Sequence, residues 1–143
     1  MVMKMNSDFI VAVHSLVFLA YAPDSLRTSD NIAKSVSIHP VRVRKMLSLL
    51  RKHGFIQSKH GAKGGFLLLQ DPRTITLDKL YALTSEGSLK PKWPDTNPKC
   101  AIGANIERAM DGIFETTEQQ VMDNLKDYTI ADVLIRVEEQ DHE

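Results

Sequence analysis

The segment from residue 40 to residue 69 changes its apolar periodicity once, and this change limits the fold more strongly than any other feature of the chain. Helical spacing comes first, because one stripe of apolar residues recurs at i, i+3, i+4 and i+7: Val43, Met46, Leu47 and Leu50. Two short apolar runs, 55–59 and 66–69, then flank a glycine-rich turn at residues 60–65. This pattern predicts a helix followed directly by a β-hairpin.

Capping and breaking residues predict where the helices begin and end. Pro40 is favoured in the first turn of a helix and Gly54 is typical just beyond the end of one, so the third helix lies between them. The other predicted helices are 7–22, capped by Ser7 or Asp8; a short one capped by Thr28 or Ser29; one that ends before Gly87; a long one at about 101–125; and one from Thr129 through Val137. We therefore expect a mainly α fold with a small β-hairpin, namely a winged helix-turn-helix followed by a long C-terminal helix.

Charge is strongly segregated along the chain, although the formal net charge is zero. Residues 1–70 carry ten basic and three acidic residues, a net +7, and residues 71–143 carry eight and fifteen, a net −7. No acidic residue occurs between Asn31 and Gln70. Such a basic field favours a polyanionic partner, and a solvated basic face is the alternative.

The predicted third helix and hairpin supply the candidate DNA-contacting residues. A helix fits the major groove, and basic side chains near its N-terminus reach base edges, while cations and backbone amides in a wing reach phosphates. The residues expected to read the major groove are Arg42 and Lys45 on the face opposite the apolar stripe, Arg44 on its flank and His39 at the helix start. Phosphate contacts are expected from Lys52, Lys59, Lys63 and the wing glycines Gly61, Gly64 and Gly65, and the wing tip with His60 can instead enter the minor groove. Val41, on the same outward face, and Ser29 complete the set of candidate DNA-binding residues. The glycines are equally consistent with an ordinary tight turn.

Several other classes of protein are disfavoured by the sequence. Cys100 is the only cysteine, so an intramolecular disulfide cannot form. The apolar run from Phe9 to Ala22 is shorter than the roughly 20 residues that span a bilayer. Histidines at metal-binding spacing, a phosphate-binding loop and a nucleophile elbow are all absent from the sequence. We expect a cytoplasmic protein that is not an enzyme and needs no metal and no membrane.

Five segments resemble a known family of bacterial regulators, the Rrf2 family. They are Ser37–Pro40, Leu47–Ile56, His60–Leu68, Asp8–Leu16 and Thr129–Leu134. The resemblance covers nearly the whole chain. It implies a homodimer built largely by the long helix, and recognition of a palindromic operator in double-stranded DNA by two wings and two recognition helices.

The chain departs from the family pattern at several positions. Members that bind an iron–sulfur cluster carry three cysteines before and at the start of the long helix, and only Cys100 lies in such a place. The other two would fall near Ser88 and Pro94, and a histidine ligand of some members would fall at Gly103. We therefore expect no cofactor. The family often has arginine where this chain has His60 and an acidic residue where it has Arg44, so exact base contacts do not carry over.

Cys100 and Gly112 each allow two interpretations. Cys100 follows Lys99 at a helix N-terminus, and both features favour the reactive thiolate, which makes it a candidate sensor. An inert cysteine or a small core residue is the alternative. Gly112, inside the long helix, permits close helix–helix approach in a dimer or is simply tolerated there, at a cost of up to ~1 kcal/mol against alanine.

The expected function is a sequence-specific DNA-binding transcription regulator, a repressor, that acts as a homodimer and responds to thiol oxidation at Cys100. The alternative is a protein-interaction module with a basic winged face and no specific DNA site. A small ligand or a protein partner can also supply the signal. The expected organisation is a DNA-binding domain at 1–87, a mobile loop at 88–100, a dimerisation helix and closing helix at 101–137, and an acidic tail at 138–143.

Overall fold

A computed structural model describes residues 7–90 and 92–141. Within these ranges the chain forms six α-helices, two strands and one 3₁₀ turn at Pro72–Thr74. The helices are α1 (Ser7–Tyr21), α2 (Ser29–Val36), α3 (Pro40–Lys52), α4 (Leu77–Ser85), α5 (Ala101–Leu125) and α6 (Ile130–Asp141), and the strands are β1 (Ile56–Lys59) and β2 (Gly65–Leu68). The predicted mainly α fold with a small hairpin is confirmed.

Local capping sets the helix-turn-helix formed by α2 and α3. The Thr28 side chain accepts a hydrogen bond from the Asn31 amide at 3.1 Å, and the Asn31 side chain accepts one from the Thr28 amide at 3.1 Å. This reciprocal arrangement begins α2 with Thr28 as its cap, which decides between the two predicted candidates. The helix ends at Val36, and the next residue, Ser37, has a left-handed φ of 58° that turns the chain towards α3.

The hairpin is anchored to the segment that precedes α2. Strands β1 and β2 pair antiparallel with Ile56 opposite Leu68 and Lys59 opposite Gly65. In addition, the Phe66 amide donates to the Arg27 carbonyl at 2.8 Å, and the Arg27 amide donates to the Phe66 carbonyl at 3.2 Å. This bridge fixes the wing relative to the start of α2, so the hairpin and the helix-turn-helix are held as one unit.

The core lies around α1, which packs against α2, α3, α4 and α6. Its largest fully buried side chains include Leu16, Leu19, Ile32, Leu47, Leu50, Leu80 and Tyr81. Phe9 and Tyr81 meet edge to face, with ring centroids 5.8 Å apart. Each of these helices therefore turns one apolar face inward, and this fixes which face it turns outward.

Some ends of the predicted elements differ from the structure. Strand β1 begins one residue later than predicted and ends at Lys59 as predicted, and β2 begins and ends one residue earlier, at Gly65–Leu68. Helix α6 continues to Asp141, so residues 138–141 of the expected acidic tail are helical, because glutamate and glutamine are good helix formers and neither proline nor glycine interrupts them. Residues 142 and 143 of that tail lie outside the described residues.

Helix α5 differs from the others in having no fully buried residue. Its second half joins the core through Val121, Met122 and Leu125, which are half-buried against it. Its first half exposes large apolar side chains, with Ile102 at 73% and Ile113 at 56% exposure. No helix within the described ranges has the length and apolar character needed to cross a membrane.

Candidate nucleic-acid interface

Helix α3 presents two faces of opposite character. Val43, Met46, Leu47 and Leu50 are buried in the core, as the apolar stripe predicts. Pro40 and Leu49 are half-buried, and the other side chains of the helix are exposed: Val41, Arg42, Arg44, Lys45, Ser48, Arg51 and Lys52. The helix therefore directs a cluster of cations and one exposed valine into solvent.

His39 caps α3. Its Nδ1 accepts a hydrogen bond from the Val41 amide at 3.1 Å, and Pro40 occupies the first helical position. Because Nδ1 acts as an acceptor here, Nε2 is the ring nitrogen that can donate a hydrogen bond outward. The cap thus leaves His39 exposed at the start of α3 with one donor available.

Arg42 has an intramolecular partner that the sequence analysis missed. Its guanidinium forms an ion pair with Asp8 at 3.0 Å and also donates to the Ser7 hydroxyl, both at the start of α1. Each side chain of the ion pair is 43% exposed, so the pair contributes at most about 1 kcal/mol. This contact ties α3 to α1 in the single chain.

The wing turn needs its glycines for geometric reasons. Gly61 has a φ of +111°, which side chains rarely adopt, and its carbonyl accepts from the Gly64 amide at 3.0 Å. A Cβ at Gly64 would lie 2.3 Å from the Lys59 carbonyl oxygen, and one at Gly65 would lie 2.8 Å from the Arg27 carbonyl oxygen. The tight-turn interpretation therefore holds, and the turn presents His60, Lys63 and the Gly61 backbone as exposed groups.

A concave surface joins the wing to the helix-turn-helix. It is lined by residues from the start of α2, the end of α3 and both strands: Thr28, Ser29, Arg51, Ser58, Lys59, His60, Gly61, Gly64, Gly65 and Phe66. Arg51 donates to the Ser58 hydroxyl at 3.1 Å and so links α3 to β1. Sequence reasoning left Arg51 out of the candidate site, although its place beside Lys52 just before the hairpin was a usable signal.

The predicted contact residues therefore fall into two groups. His39, Val41, Arg44 and Lys45 lie exposed on the first half of α3, whereas Lys59, His60 and Lys63 lie exposed on the hairpin. Ser29 is half-buried at the first position of α2, and Lys52 is exposed at the end of α3. Of the predicted contact residues, Arg42 alone forms an ion pair within 4 Å among the residues that the structure describes.

Cys100 lies outside this interface, as the exposed cap residue of α5. The backbone amides of Gly103 and Ile102 stabilise its thiolate and lower the pKa of the thiol below its ordinary value. Because the side chain is exposed, Cys100 does not fill the core of this chain. Gly112 has open space where a Cβ would stand, so nothing within one chain requires a glycine there.

The family model of Rrf2, described as an iron-dependent transcriptional regulator, matches residues 5–136. The chain belongs to the Rrf2 family. The resemblance stated from the five sequence segments is thereby confirmed.

Named relatives and solved structures agree with this assignment. The chain is 35% identical over 130 residues to YwnA of Bacillus subtilis, which is named as an HTH-type transcriptional regulator, and the match covers 90% of this chain and 96% of YwnA. A crystal structure named as a transcriptional regulator from Lactobacillus plantarum is 30% identical, with a TM-score of 0.76, covering 96% and 99% of the two chains. IscR of T. potens, 22% identical over 96% of this chain and 90% of its own, shares the fold with a TM-score of 0.73.

The iron named in the family description does not fit the donors of this Rrf2 member. Cys100 is the single thiol of the chain, and no group of three potential His, Cys, Asp or Glu ligands is found among the described residues. At Gly103, where some members place a histidine, a Cβ would lie 2.5 Å from the Asn97 carbonyl oxygen, so the backbone of the preceding loop fills that position. Three-thiolate ligation of a cluster is therefore unavailable to this chain.

Proposed function

We propose that this Rrf2-family protein is a sequence-specific DNA-binding regulator, a repressor, that acts as a homodimer on a palindromic operator. The observation that carries the proposal is the exposed basic surface of α3 with the wing fixed beside it by the Arg27–Phe66 backbone bridge. A recognition helix and an adjacent wing are the two elements with which this fold contacts a groove and its flanking phosphates. Occupation of the operator would exclude polymerase, which is how such a protein represses.

The proposed roles follow from position. His39, Arg44 and Lys45 read base edges in the major groove, and Arg42 joins them when it leaves Asp8. Lys52, Lys59 and Lys63, with Ser29, His60 and the amides of the wing glycines, hold phosphates and set the register. In this assignment residues 1–87 are the DNA-binding domain, and residues 88–100 connect it to the dimerisation region at 101–137.

Exposed apolar residues on helix α5 are the feature that favours the proposed dimer. Four residues of its first half form an apolar stripe along one side, here called the α5 stripe: Ile102, Ile106, Met110 and Ile113. Ile102 and Ile113 are more than half exposed in the single chain, which is unfavourable for side chains of this size unless another surface covers them. A two-fold pairing of two such helices would bury both stripes and place two recognition helices on successive half-sites.

Removal of Lys63 tests the wing as a phosphate contact. Lys63→Ala should weaken binding to all duplexes alike and reduce the slope of log K against log salt by about 0.9 for each protomer that loses a phosphate contact. Fluorescence anisotropy on one duplex at several salt concentrations measures the slope. Lys126→Ala, an exposed lysine at the end of α5, is the matched control and should leave the slope unchanged.

An unchanged slope for Lys63→Ala would remove the wing from the phosphate contacts. A wild-type protein with negligible preference among duplexes would contradict specific recognition altogether. That result would favour the alternative function, a basic winged face that binds an acidic protein.

A thiol response is a second proposal, favoured by the exposure of Cys100 and its lowered pKa. The thiolate attacks one oxygen of hydrogen peroxide, and an S–O bond forms as the O–O bond breaks, which makes Cys100 a sulfenic acid. The departing hydroxide takes up a proton and becomes water. This oxidation at the start of α5 would alter the dimer and release DNA.

Cys100→Ser should abolish the effect of peroxide on operator affinity while leaving the affinity of the reduced protein unchanged. The rate at which the wild-type thiol reacts with iodoacetamide should rise with pH around a midpoint below that of an ordinary thiol, because the pKa of Cys100 is lowered. If the serine variant loses affinity in peroxide as the wild type does, the cysteine is inert in this response.

A further inference from the structure

Val41 is an exposed apolar residue on the mostly polar outward surface of α3. It is 51% exposed at the second position of α3, where its amide donates to the His39 cap and its side chain takes no part in the core. The buried stripe that packs α3 on the core begins at Val43, which lies on the opposite side of the helix. Nothing within the described chain therefore accounts for a valine at position 41.

Local stability does not account for it either. Valine has a lower helix propensity than alanine, and the concavity that Val41 lines also contains charged and polar side chains: Asp8, His39, Arg42 and Lys45 lie there beside the apolar Met46 and Leu49. Its branched side chain has one strongly preferred rotamer in a helix, so it presents a rigid apolar contact at low entropic cost. These properties suit a side chain that contacts a bound ligand rather than one that packs inside the protein.

On the proposed function, the ligand at this position is the major groove. Among the four bases, thymine alone carries an apolar group, its C5 methyl, on the major-groove edge. The N-terminal residues of a recognition helix are those that meet base edges. We propose that Val41 selects thymine at one position of each operator half-site through contact with the C5 methyl group. This inference rests on the proposed function, because it requires sequence-specific binding through α3.

Deoxyuridine isolates the contact, since it differs from thymidine only in lacking the methyl. On the palindrome selected from a random duplex library, each thymine of both half-sites is replaced in turn by deoxyuridine, symmetrically. Loss of one buried methyl should weaken wild-type binding about fourfold per half-site, and so about fifteenfold for the symmetric change, at one position only. Val41→Ala should bind the thymine and uracil duplexes within about twofold of each other.

Val137→Ala is the matched control, because Val137 is 50% exposed but lies on α6. It should keep the full uracil sensitivity of the wild type. Circular dichroism should show the same helical content for both variants, as neither valine is in the core.

Three outcomes are separable. A uracil-sensitive position that Val41→Ala abolishes supports the inference. Specific binding without such a position, or with a position that Val41→Ala leaves sensitive, overturns the inference and leaves the proposed function standing. Failure of the wild type to select any sequence overturns the proposed function, and the thymine contact with it.

Discussion

Ile113→Asp should convert the protein to a monomer and weaken operator binding at least 100-fold. Ile113 is 56% exposed on the α5 stripe, so the monomer fold has little to lose from its replacement. In a two-fold dimer the change would place two carboxylates in an apolar contact, where an unpaired charge is costly. A penalty of about 3 kcal/mol corresponds to more than a hundredfold in the dimer dissociation constant.

Sedimentation equilibrium and operator titration measure the two effects of Ile113→Asp. Ala104→Asp is the control, because Ala104 is exposed on the opposite side of α5 and the change adds the same charge to the same helix. It should leave the protein dimeric. A dimeric Ile113→Asp protein with normal operator affinity would show that the α5 stripe does not form the interface.

Gly64→Ala should disrupt the wing and reduce DNA affinity at least tenfold. The added Cβ would stand 2.3 Å from the Lys59 carbonyl oxygen and 2.9 Å from the Gly61 carbonyl oxygen. Both atoms belong to the backbone, so the turn must open, at a cost of about 1–3 kcal/mol. The charge-assisted phosphate contacts of the wing, each worth about 1.5–3 kcal/mol, would then lose their geometry.

Urea unfolding and operator titration report the two consequences of Gly64→Ala separately. Ala62→Ser, which adds one heavy atom at an exposed neighbouring position of the wing, should change neither. If Gly64→Ala binds DNA with wild-type affinity, the conformation of the wing is not needed for binding.

The elements of the fold were predictable because each is specified by local sequence. The bounds of α3 follow from Pro40 and the residues before Gly54, and those of α5 from an uninterrupted apolar periodicity. The hairpin follows from the change of period around the glycine-rich turn. Helix α6 was predicted too short because a run of charged residues resembles a solvated tail even when it continues a helix.

The contacts between elements could not be predicted in the same way. The backbone bridge between Arg27 and Phe66 depends on carbonyl and amide groups, which leave no mark on side-chain periodicity. The ion pair between Arg42 and Asp8 joins residues 34 positions apart, and it exists only because α1 packs on α3. Lys45 is therefore exposed on the face opposite the apolar stripe, as the sequence predicts. Arg42 is exposed as well, but nothing in the sequence indicated its ion pair with Asp8.

Selection of the purified protein against a random-sequence duplex library, at near-physiological salt, tests the central claim most directly. Specific recognition by a two-fold dimer predicts one enriched palindrome whose half-sites are spaced by about one helical turn or a multiple of it. Enrichment of no sequence, with binding that simply disappears as salt rises, would contradict the claim and leave only nonspecific attraction between the basic surface and phosphate.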